Sequence, residues 1–128
     1  MSQKHWKNFC IVGSGNHTVT KIIPALIAEE KSIRGIVSSK QNTILTEFKK
    51  FDNIKKALQE LPKDTVFIIA TPPNLHFEQA KEILKYGRDV VIEKPIFISA
   101  TEVQQIISLV NSSKNIVLEG FMHRYTKL

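Results

Sequence analysis

The sequence predicts an α/β domain built on a doubly wound, parallel sheet of about six strands. Short apolar runs alternate with segments of helical periodicity along all 128 residues, without internal repeats or low-complexity tracts. Repeated strand–helix alternation is typical of a parallel sheet with right-handed crossovers. Three apolar runs end directly in marked turns, which read Gly13-Ser14-Gly15, Thr71-Pro72-Pro73-Asn74 and Glu93-Lys94-Pro95. Residues just beyond the carboxyl ends of parallel strands line the ligand crevice, so we expect these turns to form one site.

Length and composition indicate one globular domain that spans residues 1–128. The apolar fraction of 42% and the charged fraction of 23% are typical of a folded protein with a core of ordinary size. Cys10 is the single cysteine of the sequence, so an internal disulfide is excluded. Because it lies within an apolar run, we expect a buried thiol in a reducing compartment. The sequence has no apolar stretch of signal-peptide or membrane-spanning length, and we expect a cytoplasmic protein without membrane contact.

The net charge of +6 raises the question of nucleic-acid binding. The lysines are scattered over the predicted helices, and no basic stripe with interleaved aromatic side chains is present. Because net charge alone does not define a site, we expect solvated helix faces that attract an anionic cofactor, and no nucleic-acid partner. The four histidines lack the spacing of metal ligands, so no metal site is predicted.

The first half of the chain predicts three strands and three helices. The run at 9–12 is continuously apolar, as expected of a strand covered on both faces. Pro24 is expected to bend or tighten the early part of the following helix. The predicted strands lie at 9–12 and 33–37, with a weak third strand at Phe51. A helix is predicted at 19–31, with Ile22, Ile23, Leu26 and Ile27 inward, and a short helix at 43–50. Asp52 or Asn53 is expected to cap the next helix, which has Ile54, Ala57, Leu58 and Leu61 on its apolar face.

The second half predicts three further strands and two helices. Gly87 suits the position just past a helix end, and Ser99 with Glu102 forms a capping box. The predicted elements are strands at 65–70, 89–92 and 116–118, a helix capped by Asn74 that ends at Gly87, and a helix opened by Ser99 with Val103, Ile106, Ile107 and Val110 inward.

The turn after the first strand has the spacing of a dinucleotide fingerprint, G-x-G-x-x-G/A. It reads Gly13-Ser14-Gly15-Asn16-His17-Thr18. In that fingerprint the first glycine permits the tight turn, and the second lets the backbone approach a pyrophosphate at the helix N-terminus. Thr18 replaces the third small residue, which predicts a helix packed slightly farther from the strand. We interpret Gly13, Ser14, Gly15, Asn16 and His17 as cofactor-binding. The alternatives are a plain structural turn and, for His17, a solvated loop position.

The end of the second strand bears on the choice between NAD and NADP. An acidic residue normally binds the ribose hydroxyls there, about twenty residues beyond the fingerprint. This chain has Ser38, Ser39 and Lys40 instead. Without a carboxylate a 2′-phosphate is not repelled, and the hydroxyls with Lys40 can bind it, so the sequence favours NADP over NAD. The alternative is that residues 38–40 form only a polar turn.

The strand-end motif Glu93-Lys94-Pro95 makes Lys94 the candidate catalytic residue. A lysine at the mouth of a buried strand can give a proton to a substrate oxygen, or take one from it, while hydride moves to or from a nicotinamide. The alternative is an ordinary surface lysine before a turn.

The chain resembles the glucose–fructose oxidoreductase / inositol dehydrogenase (GFO/IDH/MocA) family. The segments that carry the resemblance are Gly13-Ser14-Gly15 and residues 70–76, 87–95 and 119–125, which span nearly the whole chain in the expected order. The resemblance implies a Rossmann-type, N-terminal domain of an NAD(P)-dependent oxidoreductase that acts on sugars, inositols or related polyols.

Several site residues follow from this resemblance. Lys94 matches the family's active-site lysine. The positions that match the surroundings of the nicotinamide half of the cofactor are Thr71, Pro72, Asn74, His76 and Glu93. Arg124 matches an arginine after the sixth strand, and with His123 it is a candidate for substrate or cofactor contact. His76 can alternatively orient the Thr71-Pro72 loop.

The chain also departs from the family pattern. Thr18 breaks the fingerprint, and Lys21 stands where the family often has a histidine. By the same resemblance, the family's second domain, an open β-sheet that closes the substrate pocket and contributes a histidine for proton transfer, is expected to be missing from this chain. We therefore expect an NAD(P)-binding domain that is inactive without a second domain or partner subunit.

The surface toward that second domain bears on assembly. It is expected to include four apolar residues, Phe97, Ile98, Phe121 and Met122. Because an open apolar patch usually finds a partner, a homo-oligomer or a partner subunit is expected. The alternative function is a non-catalytic nucleotide-binding or interaction module that keeps a dehydrogenase fold.

Overall fold

The computed structural model of the chain describes residues 6–16, 18–38, 47–94 and 99–120. These residues form one parallel sheet of six strands, with the spatial order β3-β2-β1-β4-β5-β6. The strands are β1 (Asn8–Val12), β2 (Ser32–Val37), β3 (Lys50–Phe51), β4 (Val66–Ile69), β5 (Val90–Ile92) and β6 (Val117–Glu119). The helices are a π-helical segment (Thr18–Ile22) that continues into α1 (Ile23–Ala28), then α2 (Ile54–Glu60), α3 (Pro73–Lys85) and α4 (Ala100–Asn111). The predicted doubly wound α/β fold is confirmed.

The core lies on both faces of the sheet, because successive side chains of a strand point to opposite sides. In β1, Cys10 and Val12 pack in one hydrophobic cluster with residues of α2, α3 and α4. Phe9 and Ile11 pack in a second cluster with residues of α1 and the π-helical segment. This two-sided burial explains why the central strands are continuously apolar in sequence. Burial also raises the pKa of the Cys10 thiol far above its ordinary value, which keeps it protonated.

The predicted helix boundaries at three positions are confirmed by their hydrogen bonds. Asn53 caps α2, with its side-chain oxygen accepting from the Lys56 N–H at 2.9 Å. Ser99 caps α4 in the same way, accepting from the Glu102 N–H at 3.2 Å. Gly87 follows the end of α3 with a φ of 81°, a left-handed conformation that glycine adopts without strain.

The first helix differs from its predicted form. It opens with the π-helical turn Thr18–Ile22, and α1 ends at Ala28 rather than at Lys31. Pro24 has no N–H to donate, and the turn before it widens to i→i+5 bonding instead of tightening. Ile22, Ile23 and Leu26 are buried as predicted, but Ile27, predicted to face inward, is 60% exposed, because it points about 100° away from its buried neighbour Leu26.

The predicted cap of α3 was wrong. The helix begins at Pro73, and Asn74 lies inside its first turn, exposed and without a capping role. Proline suits the first helical position because its φ is preset and its missing N–H would have no partner there. The rigid Pro72-Pro73 pair therefore sets the start of α3 one residue before Asn74.

Two further expectations differ from the structure. Residues 43–46 of the short helix predicted at 43–50 lie outside the described residues, but 47–49 are not helical and Lys50 begins β3. Ile107, predicted inward on α4, is 51% exposed, whereas Ile106 is buried. Neighbouring helical positions point about 100° apart, so the face that buries Ile106 turns Ile107 outward.

We predict that Gly35→Ala lowers the free energy of unfolding by about 1–3 kcal/mol, because it overpacks the contact between β2 and β3. A Cβ at Gly35 would lie 2.5 Å from Cε2 of the buried Phe51 ring. Urea unfolding measures the difference. Gly15→Ala is the matched control: its Cβ would meet nothing within 4 Å. That control should stay within about 0.5 kcal/mol of the parent protein. Equal midpoints for all three proteins would contradict the overpacking argument.

Candidate functional site

A cavity of about 990 Å³ opens at the carboxyl ends of β1, β2, β3 and β4. The sheet winds in one direction from β1 through β2 to β3, and in the other from β1 through β4 to β6. The reversal between β1 and β4 is a topological switch point, where open α/β sheets bind their ligands. The cavity volume lies at the upper end of the range for small-molecule and cofactor sites.

The turn after β1 forms one wall of this cavity through Gly13, Ser14 and Gly15. Gly13 has a φ of 117°, and a Cβ at this position would lie 3.0 Å from the Ala70 carbonyl oxygen. Only glycine fits this position, for both reasons. The backbone at Gly15 has open space where a Cβ would stand, so a ligand can approach it closely.

Two serine hydroxyls join this turn to the end of β2. The Oγ atoms of Ser14 and Ser38 lie 2.6 Å apart and share a hydrogen bond, and both residues line the cavity. Ser38 is 8% exposed and directly follows β2. The predicted site residues His17, Ser39 and Lys40 lie outside the described residues, as do His123 and Arg124. Asn16 is exposed at the start of the helix and does not line the cavity.

The loop after β4 forms the opposite wall, and Thr71 and Pro72 both line the cavity. The buried His76 donates from Nε2 to the Thr71 carbonyl oxygen at 2.6 Å. The Thr71 hydroxyl donates to Oε1 of Gln79 at 2.5 Å. The carbonyl group and the hydroxyl group of Thr71 are thus both bonded to side chains of α3. His76 makes its bond without lining the cavity.

The segment after β5 lies at the same end of the sheet as the cavity, because β5 pairs in parallel with β4 and their carboxyl ends are neighbours. The Glu93 N–H donates to the Ile69 carbonyl oxygen at 3.0 Å, which fixes the backbone one residue beyond the strand. Glu93 is partly buried and Lys94 is exposed. Of the site residues predicted within the described ranges, Asn16, Asn74, His76, Glu93 and Lys94 do not line the cavity.

Sequence reasoning missed the remaining wall of the cavity. Its residues come from the turn between β3 and α2, from the start of α2 and from one face of α3, and they are Asp52, Asn53, Ile54, Lys55, Leu75, Gln79 and Glu82. The helical spacing of Leu75, Gln79 and Glu82 is i, i+4, i+7, which places them on one face of α3. That spacing was visible in the sequence, but which helix face meets the cavity depends on how α3 packs against the sheet.

The charges of this wall come from exposed side chains. The Asp52 carboxylate lies 3.7 Å from Nζ of Lys56, and the two side chains are 80% and 56% exposed. Such an exposed pair is screened by solvent and adds little to stability, so both charges can respond to a ligand. Within the described ranges, no group of three or more histidine, cysteine or acidic side chains has the geometry of a metal site. None of the helices in these ranges is long and apolar enough to cross a membrane.

Comparison with known proteins supplies the relatives of this chain. The model of an oxidoreductase family, GFO_IDH_MocA, described as an NAD-binding Rossmann fold, matches residues 7–121. An uncharacterized oxidoreductase of Schizosaccharomyces pombe is 33% identical over 79 residues, which cover 58% of this chain and 21% of that protein. One of Synechocystis sp. is 29% identical over 75 residues, covering 59% of this chain and 20% of that protein. The chain thus spans about a fifth of these relatives' length.

Solved structures share the fold at low sequence identity. The WlbA dehydrogenase of Chromobacterium violaceum, solved with NADH and UDP-GlcNAcA, has a TM-score of 0.81 and 18% identity, and the match covers 97% of this chain and 37% of that one. An NAD-binding protein of Listeria innocua has a TM-score of 0.81 and 21% identity, covering 94% and 36% of the two chains. The D-galactose-1-dehydrogenase of Rhizobium etli has a TM-score of 0.76 and 21% identity, covering 91% and 38%.

We predict that Gly15→Ala weakens nicotinamide dinucleotide binding at least about tenfold while the protein stays as stable as its parent. The added methyl group would occupy the open space at Gly15 that the dinucleotide fingerprint keeps free for a pyrophosphate. Titration of NADH and NADPH fluorescence measures the affinity. Gly87→Ala is the opposite control, because it loses a positive-φ glycine far from the cavity and should lower stability alone. Unchanged affinity in the Gly15 variant would contradict this placement of the pyrophosphate.

Proposed function

We propose that this chain binds a nicotinamide dinucleotide for hydride transfer to or from a sugar- or polyol-like substrate. The chain belongs to the GFO/IDH/MocA oxidoreductase family, which has an NAD-binding Rossmann fold, and the proposal starts from that membership. The observation that carries the proposal is the Gly13-Ser14-Gly15 turn, which lines a cofactor-sized cavity at the switch point of the sheet. Two proteins of similar structure support a sugar-like substrate: one is named a D-galactose-1-dehydrogenase, and the other, the WlbA dehydrogenase, was solved with UDP-GlcNAcA.

The residues around the cavity fit the parts of a dinucleotide in order. The pyrophosphate lies against the turn at Gly13 and Gly15, where backbone N–H groups and the helix N-terminus favour an anion. The adenosine half extends toward Ser38 at the end of β2, together with Ser39 and Lys40. The nicotinamide half extends toward the ends of β4 and β5, with Thr71 and Pro72 on the cavity wall. When bound, the nicotinamide supplies the donor or acceptor of hydride.

The remaining predicted cofactor contacts, at Asn16, His17, Asn74, His76 and Glu93, belong to the same proposal. Buried His76 acts through Thr71, because it donates to the Thr71 carbonyl oxygen and holds the loop in place. In this arrangement His76 positions the loop and Thr71 meets the cofactor.

We assign a preference for NADP over NAD to the neutral end of β2. Ser38 stands where a carboxylate would repel a 2′-phosphate, and its hydroxyl and that of Ser14 can donate to phosphate oxygens. Lys55 adds a positive charge to the cavity wall. Asp52 and Glu82 also line the cavity, and the ammonium of Lys56 offsets part of the Asp52 charge.

We predict that NADPH binds about tenfold more tightly than NADH, a difference of ~1.4 kcal/mol, and that Ser38→Asp removes this preference. The new carboxylate repels a 2′-phosphate and accepts hydrogen bonds from a ribose diol. Ser38→Ala is the matched control, because it removes the hydroxyl without adding charge and should shift both affinities only slightly. Calorimetry with both cofactors measures the six dissociation constants of the three proteins.

Tighter NADH binding by the parent protein would overturn the phosphate argument alone. Absence of binding of either cofactor at millimolar concentration would overturn the dinucleotide site itself.

Lys94 is the residue that we assign to proton transfer. It stands two residues beyond β5, directly after the backbone anchor between Glu93 and Ile69. A lysine ammonium there can protonate a substrate oxygen as hydride arrives, and its free amine can take the proton when hydride leaves. Because Lys94 is exposed among the described residues, this role requires that substrate and cofactor, or a further domain, exclude water around it.

We predict that Lys94→Met lowers kcat about a hundredfold or more in the complete enzyme, with cofactor affinity little changed. Methionine keeps the length and the apolar stem but cannot carry a proton. Lys85→Met, at the carboxyl end of α3, is the control with the same chemical change away from the cavity. Steady-state turnover with sugar and polyol substrates compares them. Near-normal kcat in the Lys94 variant would return this residue to the class of surface lysines.

We propose that residues 1–128 form one dinucleotide-binding domain, and that turnover depends on a second domain or a partner subunit. The cavity described above has walls for a cofactor, built from β1 to β4 and α3. Substrate candidates His123 and Arg124 are assigned from resemblance alone. The relatives matched in sequence are about five times longer than the matched segment, so activity of a whole enzyme is proposed for the assembled protein only.

A further inference from the structure

Thr18 occupies the position at which the dinucleotide fingerprint has its third glycine or alanine. The side chain is 0% exposed, and its hydroxyl donates to the Gly13 carbonyl oxygen at 3.1 Å. A small residue at this position works by letting the helix pack closely on the strand, which a threonine cannot copy by size. We propose that Thr18 is a positioning residue for the cofactor pyrophosphate, which it serves by fixing the peptide bond between Gly13 and Ser14. This inference rests on the proposed function.

The geometry of Gly13 shows what the hydroxyl of Thr18 adds. The Gly13 N–H donates to the Val37 carbonyl oxygen at 2.9 Å, which ties the residue to β2. Its Cα faces the Ala70 carbonyl at the end of β4, at a distance that leaves no room for a side chain. These two contacts fix the amide and the Cα of Gly13, but neither fixes the rotation of its carbonyl group. The bond from Thr18 fixes that rotation.

The carbonyl direction of Gly13 determines the direction of the next N–H. In a planar trans peptide the C=O of Gly13 and the N–H of Ser14 point in opposite directions. With the carbonyl turned toward buried Thr18, the Ser14 N–H is turned away from it. Backbone N–H groups of such turns bind phosphate oxygens, so the hydroxyl of Thr18 aligns a donor of the pyrophosphate site without touching the cofactor.

The rest of the turn is closed in the same manner. The Val19 N–H donates to the Gly15 carbonyl oxygen at 3.2 Å, and the Thr20 hydroxyl donates to the Asn16 carbonyl oxygen at 2.8 Å. The carbonyl groups of Gly13, Gly15 and Asn16 are therefore all engaged by the helix that begins at the turn. The hydroxyl of Thr18 supplies the first of these three bonds, the one that reaches back to the end of β1.

The test compares Thr18→Val, which keeps the side-chain shape and loses the hydroxyl, with Thr18→Ser, which keeps the hydroxyl. Each protein is titrated with NADPH and NADH, with ADP-ribose, which contains the pyrophosphate but no nicotinamide, and with adenosine, which has neither. Ligand-observed NMR measures the weak adenosine binding. Thermal unfolding of each variant sets a temperature at which all are folded.

The positioning role predicts a specific pattern. Thr18→Val should raise Kd about tenfold for NADPH, NADH and ADP-ribose and leave adenosine unchanged, while Thr18→Ser stays within about threefold of the parent for all ligands. Should Thr18→Val not fold, Thr18→Ala takes its place and should give the same pattern. Unchanged ADP-ribose affinity in the hydroxyl-free variant overturns the inference, and so does an equal loss for adenosine and ADP-ribose, which indicates a purely structural role. Failure of the parent protein to bind any pyrophosphate ligand overturns the proposed function, and this inference with it.

Discussion

The parallel pairing of β1 with β2 on one side and β4 on the other is the constraint on which the site depends. Both faces of these strands are covered by helices, so polar chemistry has no place along them and collects at their carboxyl ends. The pairing continues one residue beyond the strands, since Gly13 donates to Val37 and Ala70 donates to Val12, each at 2.9 Å. These bonds hold the turn after β1 and the loop after β4 at one level. The cavity is the space that remains between them.

At the amino ends of the strands, buried polar groups stabilise the fold. Asp89, which is 7% exposed and directly precedes β5, accepts hydrogen bonds from the Trp6 indole at 3.0 Å and from the Ile116 N–H at 2.8 Å. A buried carboxylate is tolerated only when its oxygens are satisfied in this way. These bonds tie Trp6, two residues before β1, and Ile116, directly before β6, to the amino end of β5. Asp89 belongs to the same sequence motif as Lys94, yet the strand between them separates a structural carboxylate from an exposed lysine.

How much the sequence predicted depended on how local each cause is. The central strands were predictable because two-sided burial leaves a continuous apolar run, and Gly13 and Asn53 because turn and cap chemistry is set within a few residues. The exposure of Ile27 was not predictable, since it depends on which face of α1 packs against the sheet. In the site, Gln79 was missed because it reaches the cavity through the packing of α3. Its bond from Thr71 joins two elements whose relative placement only the folded chain defines.

The two departures of the turn from its fingerprint share one chemical feature. Thr18 replaces a small residue and Ser38 replaces an acid, and both bring hydroxyls that bond within the site: Thr18 to Gly13, and Ser38 to Ser14. Each bond joins the turn to a neighbouring element, one to the following helix and the other to β2. A turn held at both ends loses less conformational freedom when a ligand binds, and less of the interaction energy is spent on ordering it. A serine pair also carries no net charge and can both donate and accept, so it accommodates a ribose diol or a phosphate. In the NADP preference that we propose, the neutral end of β2 avoids repulsion of a 2′-phosphate, and the exposed charges of Asp52 and Lys55 on the cavity wall make that preference sensitive to ionic strength.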